Sequence, residues 1–405
     1  MQPMRTGSKE LIREINASLV FRELRAAPLQ SRTDLARHTG LSLSTVSEIV
    51  AGLLGSGIIE ERETGRSAGG RKPVLLAVRP DAGYVVGIKL TETRAVAVLT
   101  DLDSVIVERT VTPIAETSVD AVTEAVVTAV RELLPKAGSR PVFGAGVGLA
   151  GVVDPAAGVV RHATYASWHD VDLPRLLTER MGLPVVVDND VNTLVASEQW
   201  FGTGRDATDF AVVSIGRGVG LGMVLDGRLY RGASGGAGEF GHTKVAADGP
   251  RCACGGIGCL ETLVGEPAIR AKAAEHLGTD VTIDEAIDLA RGGHEALRAI
   301  FTDLGRTLGR AVGNLVNLLN PKLVILTGEG TRAADLFRDG FDTGLGDAVF
   351  DGLQQDLDVV VDTCDDETWA QGAAGLFLGE LFQPKLRPNE AGRPSLTTRP
   401  AAESD

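Results

Sequence analysis

Hydrophobic and polar positions change period several times along this chain, and each change predicts an element. In "KELIREINASLVFRELRAA", Leu11, Ile15, Leu19 and Leu24 recur at near-helical spacing and Pro28 follows, so one helix is expected here. "SRTDLARHTGLSLSTVSEIVAGLLGSG" predicts two short helices around a tight turn. Ala36 is small enough for close approach, Gly40 can take the positive φ of the turn, and Val46 packs back. Val46, Ile49, Val50 and Leu53 define the buried stripe of the second helix. Ser44, Thr45, Ser47 and Glu48 are left facing outward near its N-terminus, with Ser42 as N-cap. "IIEERETGRSAGGRKPVLLAV" then predicts a strand, a basic tip and a second strand.

This is the pattern of a winged helix-turn-helix, a module that reads double-stranded DNA. Ser42, Ser44, Thr45 and Ser47 are the candidates for its recognition helix, and Arg66, Arg71 and Lys72 of the wing for phosphates or the minor groove. Such a module usually reads paired half-sites, so a homodimer or homotetramer is expected.

From Tyr84 the period falls to that of strands. "YVVGIKL", "RAVAVLTDLD" and "SVIVERTV" predict three strands, and "SVDAVTEAVVTAVRELLPKA" an amphipathic helix. "VFGAGVGLAGVVD" reads as a buried strand entering a glycine-rich turn, and "LPVVVDNDVNTLVASEQWFG" as strand, polar turn and helix. A second block repeats the alternation. "DFAVVSIGRGVGLGMVLDGRLYRG" predicts paired strands, residues 282–318 long helices, and "KLVILTGEG" a further strand. Two successive blocks of this kind predict an α/β architecture in two lobes. The expected domains are the DNA-reading head at 1–82, a smaller lobe at 83–192 and a larger lobe at 193–384. The final helix is expected to pack back on the first lobe, and 385–405, which lacks periodicity, is expected to be a disordered tail.

Charge sharpens that division. The first eighty residues hold 12 Lys and Arg against 8 Asp and Glu, whereas the remainder holds 28 against 46. A basic head on an acidic body suits a nucleic-acid-binding module joined to something else. No apolar run is long enough to span a bilayer, and the N-terminal "MQPMRTGSKELIREI" has no signal-like stretch, so a cytoplasmic protein with no membrane partner is expected.

Three of the four cysteines fall in "GEFGHTKVAADGPRCACGGIGCLET", residues 238–262. Cys252, Cys254 and Cys259 are spaced C-x-C-x4-C, and with His242 they make a tetrahedral Cys3His donor set of the structural zinc type. A disulfide between Cys252 and Cys254 would be strained, with one residue between them. Glu239 and Glu261 lie beside these ligands, so fixing the ligands aims two carboxylates. A His242 that gives one ring nitrogen to zinc keeps the other as a donor. Two acceptors and a donor suit a polyhydroxylated ligand.

These motifs resemble those of the ROK family, which comprises sugar kinases and sugar-responsive repressors with an actin-like, two-lobed fold. "GEFGH" resembles its E-x-G-H element, "CACGGIGCLE" its zinc signature, and "SIGRGVGLG" its second phosphate loop. "DNDVN" is similar to the family's N-D-x-N turn, which implies that Asn189 and Asp190 contact the sugar. In the kinases Asp190 would be the general base. Their D-x-G-G-T phosphate loop, however, is replaced here by "GIKLTET", with Lys89 in place of the Asp and Thr91 and Glu92 in place of the glycines. Arg217 likewise replaces a threonine in the second loop. The resemblance therefore implies a sugar-responsive DNA-binding repressor of carbohydrate genes, with no catalytic residues and one structural zinc. The alternative is a sugar kinase carrying an added DNA-binding head.

Overall fold

The structure, a computed structural model, describes residues 8–64, 73–155, 157–164 and 166–383. The head opens with α1 (Lys9–Ala26), capped by Ser8, whose Oγ accepts from the Leu11 amide. α2 (Arg32–Thr39) begins in a reciprocal capping box between Ser31 and Asp34 and ends at Gly40, whose φ of +71° turns the chain. α3 (Leu43–Gly55) buries Val46, Ile49, Val50 and Leu53, the stripe its periodicity predicts. β1 (Ile59–Thr64) and β2 (Val74–Val78) pair antiparallel. The tip between them, with Arg66, Arg71 and Lys72, lies outside the described residues, as does the expected tail at 385–405.

Next come β3 (Tyr84–Leu90), β4 (Arg94–Thr100), β5 (Ile106–Pro113), α4 (Val119–Leu133) and β6 (Val142–Leu149). A small antiparallel sheet of β7 (Gly151–Asp154), β8 (Val159–Ala163) and β9 (Ala166–Val171) precedes α5 (Leu173–Met181), β10 (Val185–Asn189) and α6 (Asp190–Trp200). The main sheet has the order β10-β6-β3-β4-β5. β3, β6 and β10 run parallel, while β4 and β5 form an antiparallel meander on the other side.

The second block contains β11 (Phe210–Ile215), β12 (Val219–Leu225), β13 (Arg228–Leu229), α7 (Glu261–Val264), α8 (Glu266–Leu277), α9 (Ile283–Arg291) and α10 (Glu295–Leu319). β14 (Leu323–Thr327), α11 (Ala334–Ala348) and β15 (Asp358–Val361) complete it, and α12 (Asp366–Phe382) ends the described chain. Its sheet order, β13-β12-β11-β14-β15, repeats the first sheet's topology, again with one antiparallel meander and two parallel additions. This duplication is what the repeated alternation in the sequence reflects.

Two compact units result. The first holds the described residues up to Arg205 together with those from Trp369 onward, and the second runs from Asp206 to Thr368. The division therefore falls at Arg205/Asp206, not at 192/193 as expected. The reason is α6, which packs on the first sheet, with Thr193 filling the space above Gly148. Nor does the head form a unit of its own. Phe21, Leu24, Val50 and Leu76 of the head share one hydrophobic core with Val85, Phe377, Leu381 and Phe382.

α12 reaches that core along a track of glycines. A Cβ on Gly87 or Gly146 would strike the Ala370 or Ala373 carbonyl of α12, so only hydrogen at these positions lets helix and sheet meet. Gly87→Ala and Gly146→Ala are each expected to cost about 2 kcal/mol or more through overpacking. Gly52→Ala, in a helix position with nothing within 4 Å, is expected to be neutral or to stabilise by about 0.5–1 kcal/mol. Denaturant unfolding of the three variants checks the contrast.

Candidate functional site

The loop between β13 and α7 is pinned by backbone pairing before any metal is considered. Lys244 bridges to Cys259 and Arg251 to Ile257, and the Cys252 amide donates to the Gly256 carbonyl at 2.8 Å. Gly258 is at φ +67°, and a Cβ there would strike the Ala246 carbonyl, so the fold of the loop needs glycine. The result gathers His242, Cys252, Cys254 and Cys259, whose donor atoms all lie within 4.8 Å of one another.

The donor set fits a tetrahedral ion. Metal–sulfur bonds of about 2.3 Å, the zinc value, imply sulfur–sulfur edges of about 3.8 Å and slightly shorter sulfur–nitrogen edges. The Cys254 and Cys259 sulfurs are 3.6 Å apart, and Cys252 Sγ lies 3.5 Å from His242 Nδ1. Three thiolates around a divalent cation leave one surplus negative charge. Lys244, outside the expected set, answers it by donating to Cys259 Sγ at 2.6 Å, which raises the lysine's pKa. Without a metal the thiols are unequal: burial pushes Cys252 up to about 12, whereas the Gly256 amide brings Cys254 down to about 7. A bound cation would bring all of them to thiolate.

The carboxylates predicted beside this loop are there. Glu261 begins α7, with Oε1 3.5 Å from Cys252 Sγ and 3.8 Å from His242 Nδ1. Glu239 Oε2 lies 3.8 Å from His242 Nε2, the nitrogen turned away from Cys252. The glycine loop after β11 is faced by carboxylates as well. The space beside Gly216 is taken by Glu329 and that beside Gly218 by Glu261. Glu329 drew no attention in the sequence because it lies 113 positions from Gly216.

In the first unit, Asn189 caps α6, its Oδ1 accepting from the Val191 amide at 2.9 Å and its Nδ2 donating to the Gly151 carbonyl at 2.8 Å. Buried Asp188 holds the turn by accepting from the Asn189 amide and from Asn192 Nδ2, both at 2.8 Å. Asp190 is the first residue of the helix. One of its oxygens accepts from the Val191 amide and the other from Lys89 Nζ at 2.6 Å, both side chains being nearly buried. The ammonium also sits 3.9 Å from the centroid of the Trp369 ring. Lys89 stands out in the sequence as a departure from the kinase loop, but its partner, 101 residues away, does not. The five predicted sugar contacts thus divide between the units: Asn189 and Asp190 in the first, Glu239, His242 and Glu261 in the second.

At its far end α6 meets the head. Arg25 of α1 lies over Phe201 at 4.3 Å and Trp200 at 5.1 Å, and Phe21 stacks on Phe382 at 3.8 Å. Burial lowers the Arg25 pKa to about 10, and its Nη1 has no hydrogen-bond partner among the described residues. On α3, Ser42 and Ser44 are exposed while Thr45 and Ser47 are half-buried. Ser42 Oγ lies 2.8 Å from both Ser44 Oγ and Thr45 Oγ1, so these hydroxyls form one polar cluster at the helix start.

Comparison with known proteins places these features in context. The ROK family model matches residues 85–380. The xylose repressor of Bacillus subtilis (strain 168) is 30% identical over 326 residues, which are 80% of this chain and 84% of that protein. The DNA-binding transcriptional dual regulator NagC of Escherichia coli (strain K12) is 27% identical over 365 residues, 87% of this chain and 90% of its own. Among solved structures, a ROK family transcriptional regulator described as a homologue of the E. coli MLC protein superposes with a TM-score of 0.82 at 25% identity. That match covers 90% of this chain and 96% of the other. A ROK family glucokinase from Streptomyces griseus, solved with glucose and AMPPNP, gives 0.63 at 27% identity over 73% of this chain and 99% of its own.

The metal loop yields a direct test. Purified protein is expected to carry one divalent ion per chain, and cobalt substitution should give a sulfur-to-metal charge-transfer band. Cys254→Ser, at the exposed ligand, should lower metal content and weaken that band. Full metal content in the variant would contradict the assignment.

Proposed function

The chain belongs to the ROK family, and from that premise we propose that it is a DNA-binding transcriptional repressor of carbohydrate genes whose operator affinity depends on a sugar. The observation that carries this reading is the shared core: the helix-turn-helix head is built into the same packed unit as the helix that begins with Asp190. The names of its relatives, a xylose repressor and the dual regulator NagC, support the same conclusion. The kinase match covers 73% of this chain, against 90% for the transcriptional regulator.

Asn189 and Asp190, with Glu239, His242 and Glu261, are the proposed sugar contacts, and the loop of His242, Cys252, Cys254 and Cys259 the proposed seat of one structural zinc. Charge-assisted hydrogen bonds of carboxylates to sugar hydroxyls contribute roughly 1.5–3 kcal/mol each. Ser42, Ser44, Thr45 and Ser47 are the proposed base-reading residues, with Arg66, Arg71 and Lys72 on phosphates. A dimer or tetramer on paired half-sites in the cytoplasm completes the proposal.

We read the chain as no kinase. A general base must reach the hydroxyl it deprotonates, and here Asp190 is already bound to an ammonium at 2.6 Å. Glu329 beside the second glycine loop would repel a triphosphate. The signal from sugar to DNA runs in this account through α6. Its eleven residues form a rigid rod of about 16 Å, with Asp190 at one end and the Arg25 contact at the other.

Four outcomes test the proposal. ATP with a panel of hexoses is expected to yield no sugar phosphate; turnover of about 1 s⁻¹ would restore the kinase reading. Operator binding should weaken steeply with salt. Replacing Ser44 or Ser47 should change sequence preference, as read by selection from a random DNA pool, whereas Arg71→Ala should lower affinity for all sequences. Arg25→Met should leave operator binding and sugar binding each largely intact but shrink the effect of sugar on operator affinity, measured by paired titrations.

A further inference from the structure

Lys89 is a charged side chain placed in the middle strand of the first sheet, 8% exposed, and its position demands a reason. Burying an ammonium is costly unless it is paired. Its partner is the 9%-exposed Asp190, and their contact at 2.6 Å is a short, charge-assisted hydrogen bond. The Trp369 ring occupies another face of the ammonium. An ammonium has three donors, and these two contacts leave one for a third oxygen. Asp190, with one oxygen on Lys89 and one on the Val191 amide, keeps a second lone pair on each.

We infer that Lys89 is a specificity-determining residue of the sugar site, which makes Asp190 half of a donor–acceptor pair that takes two neighbouring hydroxyls of an uncharged sugar and disfavours sugar phosphates. The inference rests on the sugar-site reading proposed above. A lone carboxylate can only accept, so it orients one hydroxyl. A carboxylate with an adjacent ammonium accepts from one hydroxyl and donates to the oxygen of the next, which matches a vicinal diol. The pair is neutral as a whole, so Lys89 offers no net positive charge to a phosphate. Lys89 thus accounts for two things at once: it removes the base that a kinase needs, and it selects the charge state of the effector.

The test uses the full-length, metal-loaded protein and calorimetric titration with D-xylose, D-glucose and D-glucose 6-phosphate. The wild type is expected to bind at least one neutral sugar at least tenfold more tightly than the phosphate. Lys89→Met should weaken the neutral sugar at least tenfold, and Lys89→Arg should recover part of that loss. Asp190→Asn frees the ammonium, so it should weaken the neutral sugar and narrow or invert the preference over glucose 6-phosphate. That ratio is a readout which a purely structural role for the pair would not move. Because either single change could disturb folding, Lys89→Met/Asp190→Leu, with both charges removed, serves as a folded reference checked by circular dichroism and expected to bind neither class. A wild type that prefers the phosphate, or an Asp190→Asn ratio equal to wild type in a folded protein, would overturn the inference while leaving the sugar site standing. Binding of none of the three probes by the wild type would instead remove the sugar-site reading, and this inference with it.

Discussion

The close seating of α12 against the first sheet is the constraint on which the first unit depends. Gly87, Gly144 and Gly146 clear one side of the helix, where its Ala370, Ala373 and Phe377 approach the strands. Gly372, Gly375 and Gly379 of α12 itself clear the other side, receiving Thr193, Phe201 and Trp200 of α6 and its end. Spaced three and four apart, these glycines lie on one face of the helix. The last turn of α12 then delivers Phe382 to Phe21 of the head. One helix made of the last described residues therefore ties the DNA-reading head to the sheet and to α6. Movement of any one of these elements must be answered by the other two, because packed interfaces shift between discrete arrangements and do not deform smoothly.

The same seating explains how an enzyme-like scaffold can serve a regulator. Trp369, in the first turn of α12, supplies the ring beneath Lys89, and Lys89 supplies the cation for Asp190. Asp190 opens α6, and α6 ends under Arg25 of the head. Asp190 is thus held in an ion pair that belongs to a chain of contacts. Each contact is modest: cation–π contacts such as that of Arg25 contribute about 0.5–2 kcal/mol, and aromatic stacks such as Phe21 with Phe382 about 0.5–1.5 kcal/mol beyond burial. Couplings between sites are of this same order, typically ~1–3 kcal/mol. No stronger linkage is needed.

What the sequence reveals divides along the distance between partners. The metal loop was legible because its four donors lie within eighteen residues and spacing alone implies their meeting. The helix-turn-helix was legible for the same reason, its buried stripe and its Gly40 turn being local patterns. The repeat of strands and helices gave the two α/β blocks. The Lys89–Asp190 pair, the Glu329 carboxylate at Gly216 and the Arg25 contact with Trp200 were hidden, since each joins residues more than a hundred positions apart. The boundary at Arg205 was missed because α6 reads as the start of the next block, and only its packing on Gly148 and α12 assigns it to the first. The small sheet of β7 to β9 carries no signal strong enough to separate it from a loop: its strands are short and joined by irregular pairings.

Sugar binding and DNA binding are coupled in this proposal through the first unit, and coupling of that kind is reciprocal. The most direct measurement is the affinity of the full-length protein for its sugar in the absence of DNA and in the presence of a saturating operator duplex. The account predicts that operator changes sugar affinity by roughly 5–150-fold, the same factor by which sugar changes operator affinity. Sugar affinity that is identical with and without operator, in a protein that binds both, would contradict it.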